Sequence, residues 1–385
     1  MPKRASHIME NIAAEENVRL AILNVNAAHH KRSVCRWVER TLDERVAELQ
    51  RMVQDPGWTA NPPRKFAFYD KSAGKWRDEV CEPPIWPDQY IHHMIVQALE
   101  PVLMKGMDYW CCGSIPGRGI SHGMRGIKRW LREDKKGTRY AAELDIKSFY
   151  KSIQPKYVIR WLARKIKDKP VLRLIWAVIK DGIKIGYYIS QWMANAMLQP
   201  LDHLIREKTE VSHYIRYIDN ITIFASSKRK LHRAVKAIGE WLHGVELRLK
   251  ENWQVYKVDT RMVTALGYRY DHEKVLLRKR NLLRLKRQLA RAYKRIDRGK
   301  PLAVSMAAGL LSRIGQLRHC DSQRLRRRLV RPGLLKILKD VVRKHSRERS
   351  KKQWNRSSRM TLGRAALTAS NATPCARKRL AAPAT

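Results

Sequence analysis

Three short apolar runs that end or meet at an acid constrain this chain more than any other feature. Ala141 to Ile146 reads as a buried strand with Asp145 at its end. His213-Tyr214-Ile215-Arg216-Tyr217-Ile218 and Ile221-Thr222-Ile223-Phe224 are β-prone runs separated by Asp219-Asn220. Asp and Asn tolerate the positive backbone angles of a tight turn, so the reading is a hairpin with a carboxylate at its tip. Either Asp alone is more often a turn or capping residue. Together, two carboxylates on adjacent strand ends can bridge two Mg²⁺ ions about 3.5 to 4 Å apart, the arrangement that nucleotidyl transfer needs.

The rest of the chain is strongly basic. Its 385 residues carry 80 Lys and Arg against 35 Asp and Glu, a formal net charge of +45, while 44% hydrophobic residues and 12 Trp belong to a folded protein. A folded polycation needs a polyanion. Nucleic acid leads, because clustered cations release counterions from a phosphate backbone, and an anionic membrane surface is the weaker alternative. No run of 18 apolar residues and no apolar leader after Met1 is present, so the expectation is a cytoplasmic protein without membrane insertion. The six cysteines form no C-x-x-C pair, and adjacent Cys111-Cys112 suit packing better than one tetrahedral metal.

Helical patterns fill the first sixty residues and end at Asp55-Pro56-Gly57. Lys65 to Tyr69 and Trp76 to Val80 then read as strands joined by a turn at Ser72-Ala73-Gly74, a hairpin with Lys75 and Arg77 near its tip. A helix over Gln89 to Leu103 precedes the loop Gly113 to Gly119 and a helix over Gly123 to Arg132. Leu231 to Leu242 is another amphipathic helix. Arg278 to Lys300 holds eleven Lys or Arg and one acid on a helical pattern, and helices are expected over Ala303 to Leu317 and Leu325 to Val342. After about His345 periodicity ends, and residues 346–385 read as a disordered basic tail.

The flanks of the two aspartates resemble the reverse transcriptases. Leu144-Asp145-Ile146-Lys147-Ser148-Phe149-Tyr150 looks like the first palm motif, and Tyr217-Ile218-Asp219-Asn220 occupies the place of the family's Tyr-x-Asp-Asp box. Ile185-Gly186-Tyr187-Tyr188-Ile189-Ser190-Gln191, followed by Ala194-Asn195, looks like the motif that supports template and incoming nucleotide. Ala265-Leu266-Gly267-Tyr268 resembles the primer-grip turn, and Ser114 to Gly119 a template-contacting loop. The resemblance implies an α+β right-hand polymerase fold, with an N-terminal helical extension (1–60), fingers (61–137), a palm with an antiparallel sheet (138–275) and a helical thumb (276–345).

The implied roles follow the same motifs. Asp145 and Asp219 would ligate two Mg²⁺ ions, or Mn²⁺, with the backbone carbonyl of Ile146 and the amide of Asn220. Tyr150 would exclude a 2′ hydroxyl, Lys75 and Arg77 would hold a deoxynucleoside triphosphate, and Lys250 would protonate the pyrophosphate. Ile185, Gly186, Ser190 and Gln191 would support the nascent base pair. Arg118 and the helical Arg280, Arg284, Arg287 and Arg291 would grip the template RNA and the primer/cDNA duplex. The Ile-Gly-x-x-x-Ser-Gln form is that of diversity-generating retroelement enzymes of bacteria and phages, where error-prone copying and a small basic accessory protein are expected. A reverse transcriptase of the antiphage-defence or abortive-infection type, and a catalytically silent RNA-binding scaffold, stay open. Asn220 departs from the family's second Asp and implies weaker Mg²⁺ binding.

Overall fold

The computed structural model describes residues 4–70 and 74–348. The chain divides into two compact units, Met1–Glu273 and Lys274–Thr385.

The first unit opens with four helices, α1 (Ile8–Ala13), α2 (Glu15–His29), α3 (Ser33–Arg40) and α4 (Leu42–Gln54). Their apolar stripes, among them Val18, Ala21, Ile22, Val46 and Leu49, are buried against the mostly apolar α5 (Tyr90–Met104). Between them stands the antiparallel pair β1 (Arg64–Asp70) and β2 (Lys75–Glu82), with a register shift between Phe66 and Phe68. The expected turn at Ser72-Ala73 lies outside the described residues. Next come α6 (Ile120–Glu133), β3 (Tyr140–Asp145), α7 (Phe149–Ser152), α8 (Pro155–Ala163), α9 (Lys169–Ile179) and α10 (Tyr188–Lys208).

A hairpin, β4 (His213–Tyr217) and β5 (Asn220–Ala225), leads to α11 (Lys228–Gly244) and β6 (Gln254–Lys257). The four strands form one antiparallel sheet in the order β4-β5-β3-β6. Ala141, Ala142 and Leu144 of β3 and Ile221, Ile223 and Phe224 of β5 are buried. The stripe Leu231, Ala234, Val235, Ile238 and Leu242 packs α11 on β3, β5 and β6. A short ribbon of β7 (Val263–Ala265) and β8 (Tyr268–Tyr270) follows, tied to β3 where Glu143 accepts the Thr264 amide at 2.7 Å and the Tyr256 hydroxyl.

In the second unit, α12 (Lys279–Ile296) buries Leu285, Leu289 and Ala292 and packs on α13 (Val304–Gln316), where Arg313 Nε donates to Gln288 Oε1 at 2.8 Å. The single helix expected over Leu325 to Val342 is two, α14 (Gln323–Leu329) and a helix over 334–348. Pro332, which has no backbone N–H to donate, and Gly333 form the break. Residues 346–348, expected to open the tail, belong to the helix over 334–348, and residues 349–385 lie outside the described residues. No helix among the described residues is long and apolar enough to cross a membrane.

Candidate active site

The sheet brings the two acids together through its register. Asp145, the last residue of β3, is the ladder partner of Asn220, the first residue of β5, and the Ile146 amide donates to the Asp219 carbonyl at 3.3 Å. The connection from β4 to β5 keeps the expected two residues but is shifted by one. Tyr217 pairs with Asn220, so the turn is Ile218-Asp219 rather than Asp219-Asn220. The positive backbone angle falls on Ile218, at φ 58°, not on Asp219 or Asn220. A β-branched residue in that region is a true conformational outlier, and it leaves Asp219 at the tip with Asn220 already in the ladder.

Asp219 lines a cavity of about 330 Å³ together with Trp76, Arg77, Asp78, Glu79, Ile146, Ser148, Phe149, Tyr150, Lys151, Ile185, Ile218 and Lys250. Burial, and after it the neighbouring Asp145 carboxylate, push the Asp219 carboxyl above its ordinary value of 3.8. Lys250 Nζ lies 2.7 Å from Asp145 Oδ1, a contact of opposite charges without the alignment of a hydrogen bond. Asn220 is exposed, and its Nδ2 donates to Asp219 Oδ1 at 2.9 Å. Burial, then Asp219, push the Tyr150 phenol up to about 12, so it stays neutral at physiological pH. At the cavity mouth Lys151 and Glu79 form an ion pair of 2.9 Å between α7 and β2.

Ile185 reaches the cavity because its carbonyl accepts the Cys81 amide of β2 at 2.8 Å. Gly186 makes that approach possible: its φ is 106°, and a Cβ there would sit 2.2 Å from the Cys81 carbonyl oxygen.

Of the residues expected at the site, Arg77, Ile146, Tyr150, Ile185, Asp219 and Lys250 line this one cavity, with Asp145 in the ladder beside it. Arg77 is held by Asp70, with Nε and Nη2 at 3.4 and 3.3 Å from Oδ2. Lys75 opens β2, and its side chain lies outside the described residues. Ser190 and Gln191 do not line the cavity: they sit in the first turn of α10, Ser190 buried and Gln191 exposed. Arg118 is half-buried, donates to the Asp108 carbonyl at 2.8 Å and lies over the Tyr109 ring. Arg280, Arg284, Arg287 and Arg291 follow helical spacing on one face of α12, three of them exposed and Arg284 half-buried. Cys111 and Cys112 are buried free thiols pushed up to about 12 by burial, which leaves them protonated and inert.

Sequence reasoning missed Trp76, Glu79 and Lys151 at the cavity, and it missed the wholly buried Arg216 on β4, paired with Asp202 of α10. The available signal for the pair was a lone cation inside an apolar strand and an acid on a helix whose apolar residues run almost all the way round.

Among the described residues no group of three His, Cys, Asp or Glu has the makings of a metal cluster, so a cation at this site would rest on the two carboxylates, Asn220 and backbone oxygens. The arrangement sets Arg77 and Lys250 beside two acids, with a neutral phenol and an apolar wall nearby.

The sequence matches the reverse transcriptase (RNA-dependent DNA polymerase) family over residues 69–270. Protein YkfC of Escherichia coli (strain K12) is 24% identical over 161 residues, 38% of this chain and 42% of that protein. The chain thus spans about two fifths of the length of the curated relative it matches. Similar solved structures of low identity include two telomerases. The telomerase of Candida albicans in complex with a fragment of telomeric RNA has a TM-score of 0.45 and 11% identity, over 73% of this chain and 63% of that one. Apo telomerase from Candida tropicalis has a TM-score of 0.42 and 11% identity, over 56% of this chain and 48% of that one. With the matched stretch covering just over half of its residues and containing both aspartates, the chain belongs to the reverse transcriptase family and has its α+β right-hand polymerase fold.

Proposed function

We propose that this protein is an RNA-directed DNA polymerase serving a diversity-generating retroelement. One observation carries the polymerase reading: Asp145 and Asp219 meet at the end of a four-stranded sheet, beside a cavity that also holds Arg77, Tyr150 and Lys250. The donor set suits a hard divalent cation, because two crowded carboxylates, one of them raised by burial and by the other, gain most from a 2+ charge. Asp145, Asp219, the Ile146 carbonyl and the Asn220 amide would hold Mg²⁺ or Mn²⁺, which supplies Lewis-acid activation of a 3′ hydroxyl and neutralises pyrophosphate.

The chain's own residues do the rest. Arg77, with Lys75, holds the triphosphate of the deoxynucleotide. Tyr150 presents a neutral wall beneath the sugar, where a 2′ hydroxyl meets it sterically. Lys250, already beside Asp145, carries a positive charge where the leaving group forms. The basic face of α12 and, on the first unit, Arg118 are each offered to template RNA or the primer/cDNA duplex, and a small basic accessory protein completes the assembly in the bacterial cytoplasm, whether the gene is bacterial or phage-borne. The retroelement reading rests on Ile185, which puts an apolar side chain at the cavity where a polar one would help fix template and nucleotide.

Primer extension on poly-rA/oligo-dT, in Mg²⁺ and in Mn²⁺, tests the polymerase. The wild-type chain is expected to extend, and Asp219→Ala to lose at least about a thousandfold, roughly 4 kcal/mol of transition-state stabilisation. Tight duplex binding with no extension in either metal would instead favour the silent scaffold. Ile185→Gln is expected to lower misincorporation opposite template adenine, and an unchanged error spectrum removes the support for the retroelement reading.

A further inference from the structure

The strained turn that carries Asp219 is held from inside the protein by a single guanidinium. Arg216 is 0% exposed and makes four hydrogen bonds through all three of its nitrogens. Nε and Nη2 donate to the two oxygens of Asp202, each at 2.7 Å. Nη1 donates to Asn195 Oδ1 at 2.9 Å and to the Ile218 carbonyl at 3.0 Å. Asn195 and Asp202 are seven residues apart on α10, two turns along one face, so one rigid helix presents both acceptors. Asn195 Nδ2 then donates to the Gly113 carbonyl at 2.8 Å. Gly113 closes the circuit, because a Cβ there would meet Ile218 Cγ1 at 2.4 Å and the Ile218 amide nitrogen at 2.6 Å.

Ile218 at φ 58° holds a strained backbone conformation, and such a residue persists only where its surroundings over-determine it. Arg216 and the bare backbone of Gly113 are those surroundings. If the Ile218 carbonyl were released, the residue would relax toward the ordinary regions, the Ile218–Asp219 peptide plane would turn, and the carboxylate would leave the cavity side of the tip. A plain buried ion pair would need only the two contacts to Asp202. The third donor, spent on the turn itself, is what such a pair does not require.

We propose that Arg216 is a positioning residue: through the Ile218 carbonyl it holds the turn in the strained conformation that aims Asp219 at the cavity, while Asp202 and Asn195 fix the guanidinium. This rests on reading Asp219 as a metal-binding carboxylate, and the site so positioned takes a divalent cation.

The test uses the full chain with Arg216→Lys, which keeps a cation beside Asp202 but lacks the planar fork that reaches Ile218. Asn195→Ser serves as a second variant, leaving the Arg216–Asp202 pair intact while loosening Nη1 and the Gly113 contact. Three quantities are read: Mn²⁺ binding by electron paramagnetic resonance without nucleic acid, kcat and KM for the deoxynucleotide, and thermal unfolding with duplex affinity. In Arg216→Lys, kcat is expected to fall about ten- to a hundredfold, as for a small misplacement of a reacting group, with Mn²⁺ binding weakened by about tenfold. Asn195→Ser should show a smaller loss of the same kind, with KM and duplex affinity near wild type in both. Wild-type kcat and Mn²⁺ affinity in the folded variants overturn the proposal, as does a loss that only tracks the unfolded fraction. Should Arg216→Lys fail to fold, Asn195→Ser decides alone. A wild-type chain that binds Mn²⁺ through Asp219 but never extends a primer sinks the polymerase reading, and the Mn²⁺ comparison still judges the positioning. Absence of Asp219-dependent Mn²⁺ binding in the wild type overturns the positioning.

Discussion

Asp202 and Asp219 are served by the same strand and live in opposite electrostatic worlds. Asp202 is fully buried and fully answered, taking two bonds from Arg216 and one from the Tyr214 hydroxyl. Burial, followed by the Asp202 charge, keeps the Tyr214 phenol far above its ordinary range, so it remains a donor. Asp219 is three residues beyond Arg216, at the rim of a cavity, with the Asn220 amide as its side-chain hydrogen-bond partner and a second carboxylate nearby. A buried charge with both oxygens hydrogen-bonded specifies structure, whereas one left short of partners is held ready for a ligand.

Removing one partner of the answered charge should have the largest effect. Asp202→Ala leaves Arg216 buried and unpaired, and the Met1–Glu273 unit is expected to lose about 3–5 kcal/mol in urea unfolding of the full chain. A loss below about 1 kcal/mol, typical of an exposed pair, would erase the contrast between the two acids.

A smaller effect should come from sharpening the unanswered side. Asn220→Asp adds a carboxylate beside Asp219. It should lower the Mg²⁺ concentration for half-maximal extension severalfold, on the order of 1 kcal/mol, and reduce stability in chelator by a similar amount. Unchanged metal dependence would mean that position 220 takes no part in cation binding.

The smallest effect runs the other way. Asp219→Asn removes the repelled charge and should stabilise the metal-free chain by at most about 1 kcal/mol while abolishing extension. The sign in pH follows from the raised carboxyl. A group whose folded value lies above its unfolded one stabilises fully below the unfolded value and loses that contribution as pH rises through the folded one. The advantage of Asp219→Asn over wild type should therefore be absent at acidic pH and emerge as pH climbs past the ordinary Asp range. An advantage of equal size at every pH would count against a charge origin.

Much of the site was legible because its residues are local to recognisable elements. The apolar run before Asp145, the two runs flanking the hairpin and the basic face of α12 each announce themselves within a dozen residues. The turn was misplaced by one residue for a physical reason. Local propensity puts positive angles on Asp or Asn, while tertiary contacts from Arg216 and Gly113 force them onto Ile218. Ser190 and Gln191 were expected at the nucleotide, yet the cavity wall is completed instead by Trp76, Glu79 and Lys151. Those three belong to β2 and α7, whose approach no local pattern encodes.

By itself the sequence determined many of the strands and helices, a formal charge of +45, and two acids placed beside apolar runs. These follow from periodicity, turn chemistry and charge, all properties of neighbours along the chain. Only the tertiary structure decided that β3 lies between β5 and β6, that Asn195 and Asp202 face one guanidinium, and that Gly113 and Gly186 carry no side chain because other backbone fills the space. Those facts depend on pairings between residues tens of positions apart, whose free energy appears only when the core closes and removes them from water.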